Sequence, residues 1–222
     1  MMERIHERYS RLMMCHAGVW QVALLLLFCV PMNFLGHLYL SGTDPLVTVG
    51  NFMADAVKGR DLGRFPLEVQ KGIRLHRAID SYTDQHPMVL KGKERARPSS
   101  GRYAAVVVDI FYDHLFALQW SQRHQLPLQD FTRHTYALLT EHIDLLPDRT
   151  RQMLPYMISG DWLGSYATID GIARALTGLS KRVNNGAAMS GAEAILAGNL
   201  EAYAAEFNTF LPQVIEHVEQ FK

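Results

Sequence analysis

The sequence predicts an all-α fold in a single helical domain, and three observations carry that expectation. Apolar residues recur at spacings of three and four through most of the chain after Met32, the period of amphipathic helices. No segment sustains the in-and-out alternation that a half-buried strand needs. Proline, glycine and asparagine clusters cut the chain into pieces of helical length. The 222 residues suffice for one large domain with a sizeable core. Neither an internal repeat nor a long low-complexity tract is present, so the simplest description is one domain over residues 32–222.

Taken in order, Asn33 to Leu40 is an apolar stretch around His37, and Ser41-Gly-Thr-Asp-Pro45 is a turn cluster. Leu46 to Val57 reads as a short helix ending near Lys58-Gly59. Pro66 suits the first position of the next helix, which runs through His76 and Asp80 to about Asp84 and stops before Pro87. Residues 91–102 are basic and read as a loop, with Pro98-Ser-Ser-Gly101 as a breaker. A strongly apolar helix is expected from about Arg102 to Trp120. Further helices are expected at 128–144, 148–159, 168–182 and 190–220, punctuated by Pro147, Pro155 and Asn184-Asn-Gly186.

Residues 1–31 stand apart. Arg4, Arg8 and Arg11 precede an apolar run from Ala17 to Val30 that ends at Pro31, resembling a signal peptide without a clean cleavage site. The run is too short, and too interrupted by Gln21, for a membrane span. The expected reading is an N-terminal extension from a start codon placed too early, with Met32 as the true start. No membrane association is expected for residues 32–222, and the location expected is the cytoplasm. The only cysteines, Cys15 and Cys29, lie in that extension. The main body therefore holds neither a disulfide framework nor a thiolate zinc site, and any metal there needs His and carboxylate ligands. Lys and Arg balance Asp and Glu at 22 each, so overall charge gives no reason to expect a nucleic-acid partner.

Polar residues gather between Asn51 and His114. His76 and Asp80 are four apart and share a helix face, where an imidazole and a carboxylate can meet one ion. Asp109 and Asp113 are also four apart, in Val106-Val-Val-Asp-Ile-Phe-Tyr-Asp-His-Leu-Phe116. Burying an ionised carboxylate on so apolar a helix costs several kcal/mol, roughly, unless a cation or hydrogen bonds compensate. A divalent ion would satisfy both; so would buried salt bridges to arginine. Asn51 and Asp55 form a third pair to which the burial argument applies more weakly. The candidate ligands are thus Asp55, His76, Asp80, Asp109 and Asp113. His114 points about 100° away from Asp113 and is a candidate proton shuttle. His37 joins the candidates as a lone histidine in an apolar stretch. His124, His134, His142 and His217 read as surface residues.

Charge is unevenly spread. Between Lys58 and Arg102 eleven Lys/Arg face five Asp/Glu, a net of +6, leaving −6 for the rest of the chain. Lys58, Arg60, Arg74, Lys91, Lys93 and Arg95 are the candidate partner-binding residues of this stretch. A basic surface beside a metal site suits a phosphorylated substrate or an acidic protein. A solvated face is the plainer alternative.

The blocks Met32-Asn-Phe-Leu-Gly-His-Leu-Tyr-Leu-Ser41, Gly50-Asn-Phe-Met-Ala-Asp-Ala-Val-Lys-Gly59, Leu75-His-Arg-Ala-Ile-Asp-Ser-Tyr-Thr-Asp-Gln-His-Pro87, Gly101-Arg-Tyr through Asp109-Ile-Phe-Tyr-Asp-His114, and Ala175-Leu-Thr-Gly-Leu-Ser180 together resemble the bacterial acyl carrier protein phosphodiesterases, also called acyl carrier protein hydrolyases. The resemblance covers essentially Met32 to Lys222. It implies removal of 4′-phosphopantetheine from holo-acyl carrier protein, a step linked to fatty acid biosynthesis. It also implies a divalent metal, Mn²⁺ ahead of Mg²⁺ or Fe²⁺, and a helical bundle distantly related to HD-domain metal hydrolases. The sequence departs from the HD pattern, having no adjacent His-Asp dyad but only the reversed Asp113-His114, so HD ligands cannot be copied onto it. On this reading Arg77 neutralises phosphate charge, and His114 or His37 protonates the leaving serine oxygen. A metal-dependent phosphohydrolase of a small molecule such as a nucleotide, or a non-catalytic carrier-protein binder, are the other readings.

Overall fold

A computed structural model describes residues 34–221 of the chain. The expected start at Met32 and the signal-like segment lie outside the described residues. The elements are α1 (Phe34–Leu40), α2 (Pro45–Met53) running into a 3₁₀ turn (Ala54–Ala56), α3 (Leu67–Gln85), α4 (Pro87–Ser100), α5 (Ala104–Leu118), α6 (Leu128–Glu141), α7 (Asp148–Ser159), α8 (Trp162–Ser165), α9 (Ile169–Ser180), α10 (Glu193–Gly198) and α11 (Leu200–Glu219). No strand occurs among the described residues. Among them, no helix is long and apolar enough to cross a membrane.

The core is organised around α5. Its Val107, Val108, Ile110, Phe111, Leu115 and Phe116 are all buried, because α1, α4, α9 and α11 pack around it. A helix apolar over most of its circumference must be covered over most of it. Burying each such side chain contributes about 1.5–3 kcal/mol.

Start signals explain several elements. The Asp44 side chain accepts from the Leu46 and Val47 amides at 2.8 and 3.1 Å, with Pro45 opening α2. Pro147 precedes α7, whose bounds match the expected 148–159, while Pro155 lies inside the helix and does not interrupt it.

Residues 91–102 correct the sequence reading, since most of them are helix. His86 caps α4 by accepting from the Met88 amide at 3.3 Å, and Pro87 takes the first turn, where its missing N–H is harmless. Pro98 sits in the last turn. The buried stripe of α4 is Val89, Gly92, Lys93, Ala96 and Ser100, which has helical spacing but too little apolar character to stand out in the sequence. The expected helix over 190–220 is divided at Asn199 into α10 and α11. Of the histidines read as surface residues, only His134 is exposed, and His124, His142 and His217 are partly buried. His124 stacks on Trp120 and His217 on Tyr82, with centroids 4.9 and 4.3 Å apart, because an aromatic neighbour gives an imidazole a face to cover.

Candidate metal centre

The site is built where α2 crosses α3. A Cβ on Gly72 would lie 2.1 Å from the Val47 carbonyl oxygen, and one on Gly50 would lie 2.1 Å from that of Val69. The two helices therefore touch backbone to backbone, a spacing only glycine permits. One turn beyond Gly72, the same face of α3 carries His76. Across the crossing lie Asn51, beside Gly50, and Asp55 in the 3₁₀ turn. α1 then lays His37 over His76, with the rings stacked at 4.1 Å.

Three groups converge. His37 Nε2 is 3.1 Å from Asp80 Oδ1, and His76 Nε2 is 3.1 Å from Asp80 Oδ2. The ligand atoms of His37, His76 and Asp80 lie within 4.8 Å of one another. Asp55 adds an oxygen 3.2 Å from His76 Nε2. Both imidazoles are buried, while Asp80 is about a third exposed, so the cluster opens to solvent on the carboxylate side.

The donor set fits a divalent ion. His37 Nε2 is buried and finds no hydrogen-bond partner, although Asp80 Oδ1 lies 3.1 Å away. An unpartnered buried nitrogen beside a carboxylate calls for a cation between them. Two imidazole nitrogens with one or two carboxylates are donors that divalent transition metals accept.

Burial works to lower the pKa of His76, but Asp55 and Asp80 outweigh it and hold the ring at about 9. Burial, joined by the charge of His76, keeps His37 below the usual histidine value. Burial would raise Asp80, yet contacts with His37 and His76 hold it well below the usual carboxylate range. A raised histidine pKa means that folding favours the protonated ring. That contribution is full below about 6.5 and is lost as pH rises through about 9. An ion must displace the same proton, so metal affinity should rise about tenfold per pH unit between pH 7 and 9 and then level off. Calorimetric titration across that range checks this; a flat profile would contradict it.

The other candidates have different surroundings. Asp113 accepts from the Leu35 and Gly36 amides at 3.0 and 2.9 Å, anchoring the start of α1. It thus answers the burial problem with backbone hydrogen bonds. Burial still pushes its carboxyl up to about 8. Asp109 is half-buried and lines a small cavity with His37, Thr83, Tyr112 and Asp113. Burial first, and then the charges of Asp80, Asp84 and Asp55, raise it to about 7 against the pull of Lys93. Neither Asp109 nor Asp113 belongs to the converged group. His114 is buried with Nδ1 2.6 Å from the Tyr166 carbonyl oxygen. Arg77 donates to the carbonyls of Val57 and Gly59 at 3.1 and 2.8 Å, which ties down the loop after Asp55.

The basic residues divide into two sets. Lys93 pairs with Asp84 at 2.7 Å, Arg95 with Glu206 at 2.6 Å, and Lys91 lies 3.8 Å from Glu206. Lys58, Arg60, Arg64, Lys71 and Arg74 are exposed and make no ion pair among the described residues.

Fold and site together define a helical protein whose His/Asp cluster is compatible with a divalent ion. A family profile described as acyl carrier protein phosphodiesterase matches residues 32–214. The chain is 31% identical over 191 residues to the acyl carrier protein phosphodiesterase of Photorhabdus laumondii, covering 85% of this chain and 96% of the relative. It is 32% identical over 189 residues to that of Klebsiella pneumoniae subsp. pneumoniae, and 32% over 190 to that of Escherichia coli O6:H1, in both cases covering 85% of this chain and 98% of the relative. No solved structure matches. The chain belongs to the acyl carrier protein phosphodiesterase family.

Proposed function

We propose that this chain is a phosphoric diester hydrolase that removes the 4′-phosphopantetheine group from holo-acyl carrier protein, leaving the apo protein. The observation that carries this reading is its match along 85% of its length to relatives named acyl carrier protein phosphodiesterase. The reading extends to action in the cytoplasm, in connection with fatty acid biosynthesis.

His37, His76, Asp80 and Asp55 are the residues that would hold the ion. The mixed nitrogen and oxygen donors suit Mn²⁺, Mg²⁺ or Fe²⁺, and the family resemblance puts Mn²⁺ first. When bound, such an ion supplies Lewis-acid polarisation of the phosphoryl group and lowers the pKa of the attacking water. Asp109, in the cavity beside His37 and with its carboxyl near 7, is suited to hand a proton to the leaving serine oxygen. Asp113 and Arg77 serve by fixing α1 and the 57–59 loop around the ligands.

The acidic carrier protein docks on Lys58, Arg60 and Arg74, which make no ion pair among the described residues, whereas Lys93 and Arg95 are held by Asp84 and Glu206 and Lys91 lies 3.8 Å from Glu206. The double variant Lys58→Glu/Arg60→Glu should raise KM for holo-acyl carrier protein about tenfold at low salt, with kcat unchanged. Lys91→Ala should leave KM as it is. Equal effects of the two changes would remove the 58–74 face from the reading.

Mass spectrometry of holo-acyl carrier protein after incubation, with Mn²⁺ or with a chelator, tests the activity. Loss of the prosthetic-group mass with Mn²⁺ alone is the expected result. Turnover of nucleotides but not carrier protein would favour the small-molecule reading. Binding without turnover would favour a non-catalytic binder.

A further inference from the structure

Asn51 has no exposed surface, and all four of its hydrogen-bonding positions are used. Nδ2 donates to the His37 carbonyl and to the Ser41 hydroxyl, each at 2.9 Å. Oδ1 lies 2.9 Å from His37 Nδ1 and 3.0 Å from His76 Nδ1. A carbonyl only accepts, so the amide atom facing the His37 carbonyl must be the nitrogen, and the way the amide is turned follows from that. The Ser41 hydroxyl donates to the same carbonyl at 2.9 Å, which fills both of its lone pairs and leaves the hydroxyl oxygen to accept from Nδ2.

Oδ1 has no hydrogen to give. The two imidazoles must therefore both donate to it, and both carry a proton on Nδ1. In each neutral ring the lone pair is then on Nε2. Those are the atoms that face the two oxygens of Asp80 at 3.1 Å. The nitrogen of a ligating imidazole that meets the metal is set by the hydrogen bond the other nitrogen makes. That other bond usually goes to a separate acceptor for each ring; here one amide oxygen serves two stacked rings.

We propose that Asn51 is a positioning residue of the metal centre, its single amide oxygen holding His37 and His76 in the Nδ1-protonated tautomer and aiming both Nε2 atoms at one ion. The aim at an ion rests on reading the cluster as a metal centre; the tautomer assignment does not. An amide suits the task where a carboxylate would not. It accepts from both rings without adding a third negative charge beside Asp55 and Asp80, and its Nδ2 hydrogens hold the oxygen in place.

Long-range ¹H–¹⁵N correlation spectra of the histidine rings test this in the full chain. In the metal-free wild type at alkaline pH, where both rings are neutral, His37 and His76 should each carry the proton on Nδ1. With Zn²⁺ as a diamagnetic probe, both should keep Nδ1–H and bind through Nε2. Asn51→Leu should lose the shared preference and weaken Zn²⁺ binding by about 10- to 100-fold, read by chelator competition. Asn51→Asp retains an acceptor and should keep the Nδ1 protons although it loses the Nδ2 donors, and a cooperative thermal unfolding transition guards against a fold defect in the leucine variant. A neutral ring protonated on Nε2 in the wild type, or unchanged Zn²⁺ affinity in folded Asn51→Leu, would overturn the proposal. A wild type that keeps both Nδ1 protons yet takes up no Zn²⁺ would overturn the metal centre, and the positioning role with it.

Discussion

Asp80→Ala is expected to abolish divalent-ion binding at micromolar protein and to lower phosphopantetheine release by about a thousandfold or more. Asp80 gives one carboxylate oxygen to each Nε2, at 3.1 Å in both cases. Without it His37 Nε2 has no carboxylate beside it, and His76 Nε2 keeps Asp55 alone. The transition-state stabilisation that an ion supplies amounts to several kcal/mol, and about 4 kcal/mol corresponds to roughly a thousandfold in rate. The pKa of His76, now held at about 9 by Asp55 and Asp80 against burial, should fall in the same variant. Asp84→Ala is the matched control: it removes a carboxylate one turn along α3 that is exposed and pairs with Lys93. It should leave ion binding intact. Calorimetry and the prosthetic-group assay on both variants check this. Asp80→Ala activity within tenfold of wild type would remove Asp80 from the centre.

Gly72→Ala should cost at least about 3 kcal/mol of stability, a drop in Tm of roughly 6–12 °C for a chain of this size. The added methyl group would meet the Val47 carbonyl oxygen at 2.1 Å, the Asn51 amide nitrogen at 2.7 Å and Gly50 Cα at 2.9 Å. All three are backbone atoms, so no side chain can swing aside. The helices must part, and Asn51 moves away from His76 as they do. Weaker ion binding should therefore accompany the loss of stability. Gly178→Ala, in α9 with nothing within 4 Å of the new Cβ, should instead stabilise by roughly 0.4–1 kcal/mol. Thermal unfolding of the two variants compares them directly, and equal Tm values would contradict the crossing argument.

The contrast between α7 and α4 shows what makes a helix legible from sequence. Pro147, Asp148 and Gly160 bracket α7, and those signals act within a turn of themselves. The inner face of α4 is made of small residues, a serine and a lysine whose charge is met by Asp84. Its burial follows from what packs on it, and no periodicity of apolar residues announces that.

The same division runs through the site. His76 and Asp80 are four apart on one helix, so their meeting could be read from spacing alone. His37 reaches them from a separate helix and had no local signal beyond being a histidine in an apolar run. Asn51 was visible as a polar residue on an apolar helix, but its function lies in bonds to residues 14 and 25 positions away. Asp113 is the sharpest case. Its partners are two main-chain amides 77 and 78 residues distant, and backbone donors leave no mark on side-chain patterns.

The glycine crossing also bears on which ions the centre can tell apart. A site carried on loops adapts to ionic radius by small swings of its ligands, and so discriminates poorly by size. Here Asn51 and His76 stand on two helices in main-chain contact, and Asn51 has no free hydrogen-bonding position with which to shift. Room for an ion as large as Ca²⁺ would have to come from the partly exposed Asp80 side, because the joint fixes the imidazole side. The main-chain joint thus holds the imidazole side of the centre still, from a point where no side chain is present.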